Sequence, residues 1–477
     1  MDGFIGRREE LNSLRGLLDK NMASFVVIRG RRRIGKSRLS EEFGKSFNRV
    51  LVFTGLPPEK GVTAQTQQEE FKRRLHELKI PHFARDDWGD LFKSLADACQ
   101  RGRVLIILDE ISWMGMKSPG FLGKLKNTWD LHLKKNPKLV LLVSGSQSTW
   151  IEKNILNHTG FIGRISHQLT LKELSLEECN LFWGSKRDRI SSYEKLKILS
   201  VTGGIPRYLE EIQTNLSAEE NIRRLCFKQE GLLFNEFDQV FSDLFSKRSG
   251  KYKEILRVLV KGKAKFDDIL TALDQSKGGD ISNYLNDLCQ TGFVTRDYTW
   301  DVKTTQPSKL SEYRLSDNYI RFYLKHIEPN KQKIISRDVA SLPTAWSVIL
   351  GLQFENLVLS PKNRTGLYRL LDIPENEVIW ANPYFQTQRK SQKKCQIDLM
   401  IQTKYNTLYL CEIKFKNEPL DKAIIQEVEE KRKRLKIPKG FSIRPALIHV
   451  NGVSESLIEQ DYFAKIISYD CLLETTT

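Results

Sequence analysis

Two sets of residues in this chain have the types and spacing to do chemistry on phosphates. The first is the run "GRRRIGKS", which fits G-x-x-x-x-G-K-[ST] with Gly30, Gly35, Lys36 and Ser37. Glycines at those places let backbone N–H groups curl around phosphate oxygens, Lys36 neutralises the β- and γ-phosphates, and Ser37 ligates Mg²⁺. Further along, "RVLIILDEISWM" ends an apolar run in Asp109 and Glu110. Asp109 would hold the Mg²⁺ through water and Glu110 would polarise the attacking water. An acidic strand end also serves to cap a helix; the upstream glycine loop favours the catalytic reading. A third apolar run, "KLVLLVSGSQSTW", ends in Ser144, Gly145 and Ser146, where a hydroxyl can reach a γ-phosphate or simply turn the chain.

The second set lies in the last quarter. "QIDLMI" places Asp398 between apolar neighbours, and "CEIKFK" carries Glu412 and Lys414 two residues apart. On a strand those two share a face. A charged residue inside an apolar strand needs a partner. Two carboxylates on adjacent strands can both reach one Mg²⁺, with Mn²⁺ as a substitute, and Lys414 would hold the attacking water or neutralise the phosphate. The competing reading is an ordinary ion-pair network.

Elements must position these groups. Phe25–Ile28 reads as a strand feeding the glycine loop and then a helix, whose N-terminus adds its dipole to the phosphate site. Strands alternating with helices predict a parallel sheet covered on both faces. In the middle, helical periodicity runs through Lys251–Val260, Phe266–Leu273 and Ile281–Leu288, followed by a strand pair around "GFVTRDYTW". Three helices and a ribbon make a winged helix-turn-helix. Its third helix carries Asp280, Asn283 and Asp287 and few bases, so packing against the glycine-loop domain competes with DNA reading. "YRLSDNYIRFYLKHIEPNK" is aromatic and helical, more in the manner of core than of a stacking platform. After it, "SVILGLQFENLVLSPK" predicts a helix bearing Glu355, "KKCQIDLMIQTKYNTLYLCEIKFK" a β-hairpin, and "AIIQEVEEKRKRL" another helix, on which Gln426 reads as solvated.

The chain has 477 residues, 40% hydrophobic, enough for about three packed domains. Its net charge of +17 points to a polyanionic partner, with nucleic acid leading, although a generally basic proteome produces the same number. Basic runs flank the second site: "QRKSQKK" (Arg389, Lys390, Lys393, Lys394) and "KRKRLK" (Lys431–Lys436). Such runs are usually solvated faces, but on both sides of a phosphate site they suggest backbone contact. No apolar run is long enough to span a membrane, and no signal peptide is evident. Seven cysteines lack zinc spacing, which fits a reduced, cytoplasmic protein.

"FIGRREELNSL", "GRRRIGKS", "LDE", "SGS", "FIGRISHQLTLKELSLEE" and "GGIPRYL" follow in the order of the archaeal-type ATPases, within the AAA+/STAND class of P-loop proteins, which residues 1–240 resemble. The resemblance implies that Phe4, Gly6 and Arg7 line the adenine side of an ATP site. It implies an arginine finger at Arg164 and a sensor arginine at Arg207 on a helical lid. A finger acting in trans implies a homo-oligomer. For each arginine a surface salt bridge is the alternative.

Residues 346–477 resemble the PD-(D/E)XK restriction-endonuclease-like superfamily, which such ATPases frequently carry at this position. The resemblance implies Asp398, Glu412 and Lys414 as the nuclease site, with Glu355 as a further metal ligand or orienting group. Gln396 stands where members commonly have an acid. The expected fold is therefore multidomain α/β: P-loop ATPase core 1–172, helical lid 173–245, winged helix 246–325, connector 326–345 and nuclease-like domain 346–477. The expected function is an ATP-dependent DNA-processing enzyme with a Mg²⁺-dependent nuclease. The alternative is a nucleotide-switched DNA-binding or regulatory ATPase whose last domain does not cut.

Overall fold

The protein is described by a computed structural model over residues 3–83, 85–146, 148–245, 249–276, 279–336, 342–388 and 393–474. The chain divides into two compact units, residues 1–172 with 239–249, and residues 173–238 with 250–477. Residues 239–245, part of the expected lid 173–245, fall in the first unit.

The first unit is a five-stranded sheet of order β2-β3-β4-β1-β5. Its strands are β1 (Ser24–Arg29), β2 (Arg49–Thr54), β3 (Val104–Asp109), β4 (Leu139–Gly145) and β5 (Ile165–Thr170). All pairings are parallel. The central β3, β4 and β1 are almost wholly buried, which is why their sequences are continuous apolar runs rather than alternating ones. Phe25, Phe71, Trp88, Phe92, Phe121 and Trp129 fill the same core. Because the strands are parallel, the ends of β1, β3 and β4 lie side by side at one sheet edge, and the loops leaving them carry the residues expected to contact phosphate.

In the second unit, helices Ser249–Leu259, Phe266–Ala272 and Gly279–Gln290 precede an antiparallel ribbon of β6 (Val294–Trp300) and β7 (Pro307–Leu315). An antiparallel bridge from Ala264 to Tyr313 adds a third segment to that ribbon. The stretch "GFVTRDYTW" supplies only β6; its partner begins later, at Pro307. The end of the ribbon is packed on the C-terminal sheet, where Trp300 and Val302 share a core with Tyr384, Ile397 and Met400. Trp300 Nε1 donates to Gln402 Oε1 at 2.5 Å, and Gln402 Nε2 donates to the Val302 carbonyl at 2.8 Å. The expected alternative to DNA contact was packing against the ATPase. The partner seen for the ribbon is the C-terminal sheet, since aromatic residues at its tip need an apolar face.

The aromatic segment after β7 is core. Tyr319 OH donates to the Leu233 carbonyl at 2.8 Å, Tyr323 stacks on Phe237, and Asn318 Nδ2 donates to the Gln353 carbonyl at 3.2 Å. It thus joins the helices of residues 173–238 to the Trp346–Leu359 helix. Part of the expected connector, 337–341, lies outside the described residues.

The C-terminal sheet has order β12-β11-β10-β9-β8, formed by β8 (Val378–Gln386), β9 (Cys395–Thr403), β10 (Thr407–Lys414), β11 (Ser442–His449) and β12 (Lys465–Ser468). β8, β9 and β10 pair antiparallel, and β10, β11 and β12 pair parallel. The expected hairpin is β9–β10. Helix Ala423–Arg434 provides the crossover from β10 to its parallel neighbour β11. Among the described residues no helix is long and apolar enough to cross a membrane.

Candidate functional site: a phosphate loop and an acidic pair

The loop after β1 is shaped by two glycines. A Cβ on Gly30 would meet the Leu171 carbonyl oxygen at 2.7 Å, and Gly35 has φ 90°, a left-handed conformation, directly before the Lys36–Gly44 helix. Lys36 Nζ is buried and donates to the carbonyls of Gly30 at 2.9 Å and Arg31 at 3.1 Å. Burial lowers its pKa, partly countered by Glu110 and Asp109. Ser37 Oγ donates to Asp109 Oδ2 at 2.9 Å, and Ser144 Oγ donates to Asp109 Oδ1 at 2.5 Å. The ends of β1, β3 and β4 thus bring Ser37, Asp109 and Ser144 into one hydrogen-bonded set.

Glu110 has φ 50°, which is costly for a residue with a side chain and occurs where the surrounding structure enforces it. Its Oε2 accepts from both the Ser146 N–H and Ser146 Oγ, each at 2.9 Å. Ser146 therefore orients the carboxylate expected to polarise water. The sequence offers Ser146 only as part of "SGS", with nothing to separate it from Ser144.

The N-terminal segment is tied to the same loop. Gly6 has φ 72° and Arg7 φ 58°. Arg7 is buried, pairs with Glu10 at 3.2 Å, and donates to the carbonyls of Ile34 at 2.9 Å and Lys172 at 2.5 Å. Phe4 is half-buried nearby in sequence. The two expected lid and finger arginines sit in ion pairs. Arg164 makes a forked pair with Asp130, Nε to Oδ1 at 3.0 Å and a terminal nitrogen to Oδ2 at 2.8 Å. That pair holds the Asp130 carboxyl down at about 2. Arg207 pairs with Glu211 at 2.7 Å and Glu210 at 3.4 Å, within the second unit.

The C-terminal acids also converge. The registered β9–β10 ladder ends at Cys411–Leu399; beyond it Ile413 N–H donates to Asp398 Oδ2 at 3.0 Å. The Asp398 side chain thus replaces a backbone acceptor and is locked beside Glu412, which is 2% exposed. Burial, then the Glu412 charge, push the Asp398 carboxyl up to about 7. A cation answers this accumulation of negative charge, and it is Lys431. Its Nζ lies 2.7 and 2.6 Å from the two Glu412 oxygens and 3.8 Å from Asp398 Oδ1.

Lys414 pairs with Glu412 at 3.1 Å and with Glu427 at 2.9 Å. Burial would lower its pKa, but the two carboxylates outweigh that and raise it. Glu355 pairs with Lys263 at 2.7 Å. Gln426 is exposed, the solvated reading of it. Among the described residues no group of three or more His, Cys, Asp or Glu side chains is placed to hold a metal ion. The two-carboxylate set still fits Mg²⁺, which keeps several waters and binds through one or two carboxylates. The ammonium of Lys431 between them is itself a stand-in cation.

Lys431 was hidden in a basic run, yet a signal exists. Ile424, Val428 and Leu435 are buried and Lys431 falls on their stripe, at spacings of four, three and four. The remaining bases behave as a charged face: Lys393, Lys394, Arg432, Lys433, Arg434 and Lys436 are exposed. Gln386 Nε2 donates to the carbonyls of Lys393 at 2.7 Å and Arg434 at 2.6 Å, so one residue joins the two runs. Arg389 and Lys390 lie outside the described residues. The exposed face of helix Gly279–Gln290 shows Ser282, Asn283 and Asn286, without a base, while Asp287 accepts from Tyr252 OH at 2.5 Å.

Residues 4–212 match the family described as an ATPase domain predominantly from Archaea. An uncharacterised protein of Methanocaldococcus jannaschii is 27% identical over 364 residues, spanning 74% of this chain and 76% of that protein. An uncharacterised protein of Rhizobium meliloti is 25% identical over 361 residues, 61% of this chain and 33% of that protein. Among solved structures, the Walker-type ATPase of Pyrococcus abyssi aligns with a TM-score of 0.50 at 18% identity, over 68% of this chain and 96% of its own, a likeness of fold. Over residues 4–212 the chain is therefore similar to the archaeal-type ATPase domain, and its fold is like that of a Walker-type ATPase.

Proposed function

We propose that the protein is an ATP-dependent DNA-processing enzyme, in which nucleotide turnover at the loop around Lys36 governs phosphodiester cleavage by the C-terminal domain. The observation that carries the second half is the Asp398–Glu412 pair on adjacent strands, Glu412 buried and Asp398 half-buried, with lysines on both sides. This reading makes residues 346–477 a PD-(D/E)XK-like domain and the three helices with their ribbon a winged helix. The charged face joined by Gln386 supplies phosphate-backbone contacts, and binding through it falls steeply with salt.

At the first site, Lys36 would turn from its own loop carbonyls to the β- and γ-phosphates, while Ser37 and Asp109 would hold Mg²⁺. Glu110, oriented by Ser146, aligns the attacking water, and Ser144 contacts the γ-phosphate. Gly6 and Arg7 fix the adenine-side segment to the loop. Arg164 as a finger and Arg207 as a sensor would each have to leave a carboxylate partner, which a second subunit or the nucleotide must compensate. At the second site Asp398 and Glu412 would hold a divalent cation, which supplies Lewis-acid activation of water and charge neutralisation at the scissile phosphate. Lys414 positions the water or neutralises the developing charge, and Glu427 keeps it protonated.

The test is plasmid or single-stranded DNA incubated with the full chain and Mg²⁺ or Mn²⁺. Wild type should nick or cut, and Asp398→Asn should abolish cleavage while ATP turnover persists. Cleavage that survives in Asp398→Asn would overturn the site. A second reading, a nucleotide-switched DNA-binding protein that does not cut, is favoured by the lysine found on each acid. It predicts ATP-dependent retardation of DNA with no metal-dependent product.

A further inference from the structure

The three acids of the C-terminal site do not face an open centre; each is already matched by a lysine. Glu412 and Asp398 share Lys431, and Glu355 is held by Lys263 at 2.7 Å. The two lysines come from different places. Lys431 reaches in from the buried stripe of helix Ala423–Arg434. Lys263 belongs to the turn between the first two helices of the three-helix segment, next to Ala264, whose bridge to Tyr313 fixes that turn to β7. An ammonium 2.6–2.7 Å from both oxygens of Glu412 occupies the space a cation would need. Two like charges cannot share it without strong repulsion in a buried setting. Both lysine side chains keep a route to water, being 27% and 20% exposed, so a long flexible stem can carry either head out to solvent.

We infer that Lys431 and Lys263 are internal counter-ions that fill the acidic site and must be displaced before a divalent metal can bind there. Lys431 closes the Asp398–Glu412 pair, and Lys263 diverts Glu355 from it. The site is consequently built in a charge-balanced, metal-excluding form. Because Lys263 is anchored to the ribbon, a movement of the three-helix segment away from the Trp346–Leu359 helix releases Glu355 toward the pair. The occupancy of the metal site is then set by the protein's conformation rather than by metal supply alone. The inference rests on the metal-binding reading of Asp398 and Glu412 proposed above.

The experiment is Mn²⁺ binding to the full chain, followed by calorimetry and by loss of the free-ion paramagnetic resonance signal, without DNA. Neutralising the competitor in Lys431→Gln should raise Mn²⁺ affinity about tenfold or more, and Lys263→Gln by a smaller factor. Lys431→Arg keeps the charge and should keep the wild-type affinity, which separates charge competition from a change in packing. Metal-free Lys431→Gln should melt earlier than wild type and regain more of its melting temperature on adding Mn²⁺. Asp398→Asn in the Lys431→Gln background should remove the gain. Unchanged or weaker Mn²⁺ binding by Lys431→Gln, with wild type binding the ion, overturns the inference and leaves the metal reading standing. No Mn²⁺ bound by any of these proteins overturns both.

Discussion

The two candidate sites use the same residue types in opposite ways. In the first unit Lys36 donates to backbone carbonyls, and the acids Asp109 and Glu110 are held by the hydroxyls of Ser37, Ser144 and Ser146. Cation and anions are thus kept on separate neutral partners, and Lys36 can exchange weak partners for a phosphate. In the C-terminal domain Lys431 and Lys414 lie directly on Glu412, and Lys263 lies on Glu355. Breaking a buried pair leaves an uncompensated charge, which costs several kcal/mol. On the proposed reading, one site is preorganised for its ligand, whereas the other must first be unlocked.

The comparison breaks most sharply at Lys36. Lys36→Ala should lower ATP turnover by roughly two to three orders of magnitude, because the variant loses the buried ammonium that would neutralise the β- and γ-phosphates. Mn²⁺ binding at Asp398 should be unchanged when measured on the same preparation. Equal loss at both sites would show that they are not separately built.

A smaller effect is expected from the ribbon. Trp300 is 2% exposed and stacks on Trp380 with ring centroids 5.5 Å apart. Trp300→Ala should cost about 3–5 kcal/mol of stability in the second unit, read from denaturant unfolding, while nucleotide binding at the first unit survives. Simultaneous loss of nucleotide binding would contradict that separation.

The smallest effect concerns pH. Burial, helped by Lys325, depresses His326 from 6.5 to about 4. The unfolded chain therefore binds the proton first, so this contribution to stability is full above about pH 6.5 and is lost as pH falls toward 4. The second unit should soften over that range, and His326→Gln should flatten its unfolding midpoint against pH. A midpoint that moves equally in both proteins would remove His326 as the cause.

Much of the first site was legible because it is local. A glycine loop between a buried strand and a helix is one contiguous stretch, and parallel strands ending in "LDE" and "SGS" can only place their polar ends along one edge. The acidic pair was legible in outline, since Asp398 and Glu412 are charges inside apolar strands. The partners were less so. Ser146 was indistinguishable from Ser144, and Lys431 was masked by neighbouring bases, although its place on the Ile424–Val428–Leu435 stripe marks it as inward-facing. Nothing near Lys263 in the sequence connects it with Glu355.

By itself, the sequence determined what repeats along the chain: strand and helix periodicity, the glycines that permit the phosphate loop, and the acids that need partners. Only the tertiary structure decided which lysine answers which acid, that Trp300 and Val302 at the ribbon's end are buried against the C-terminal sheet, and that Arg164 rests on Asp130. The physical reason is range. Backbone geometry and apolar periodicity act between near neighbours, whereas the partner of a buried charge is chosen by whatever the fold brings within about 3 Å of it.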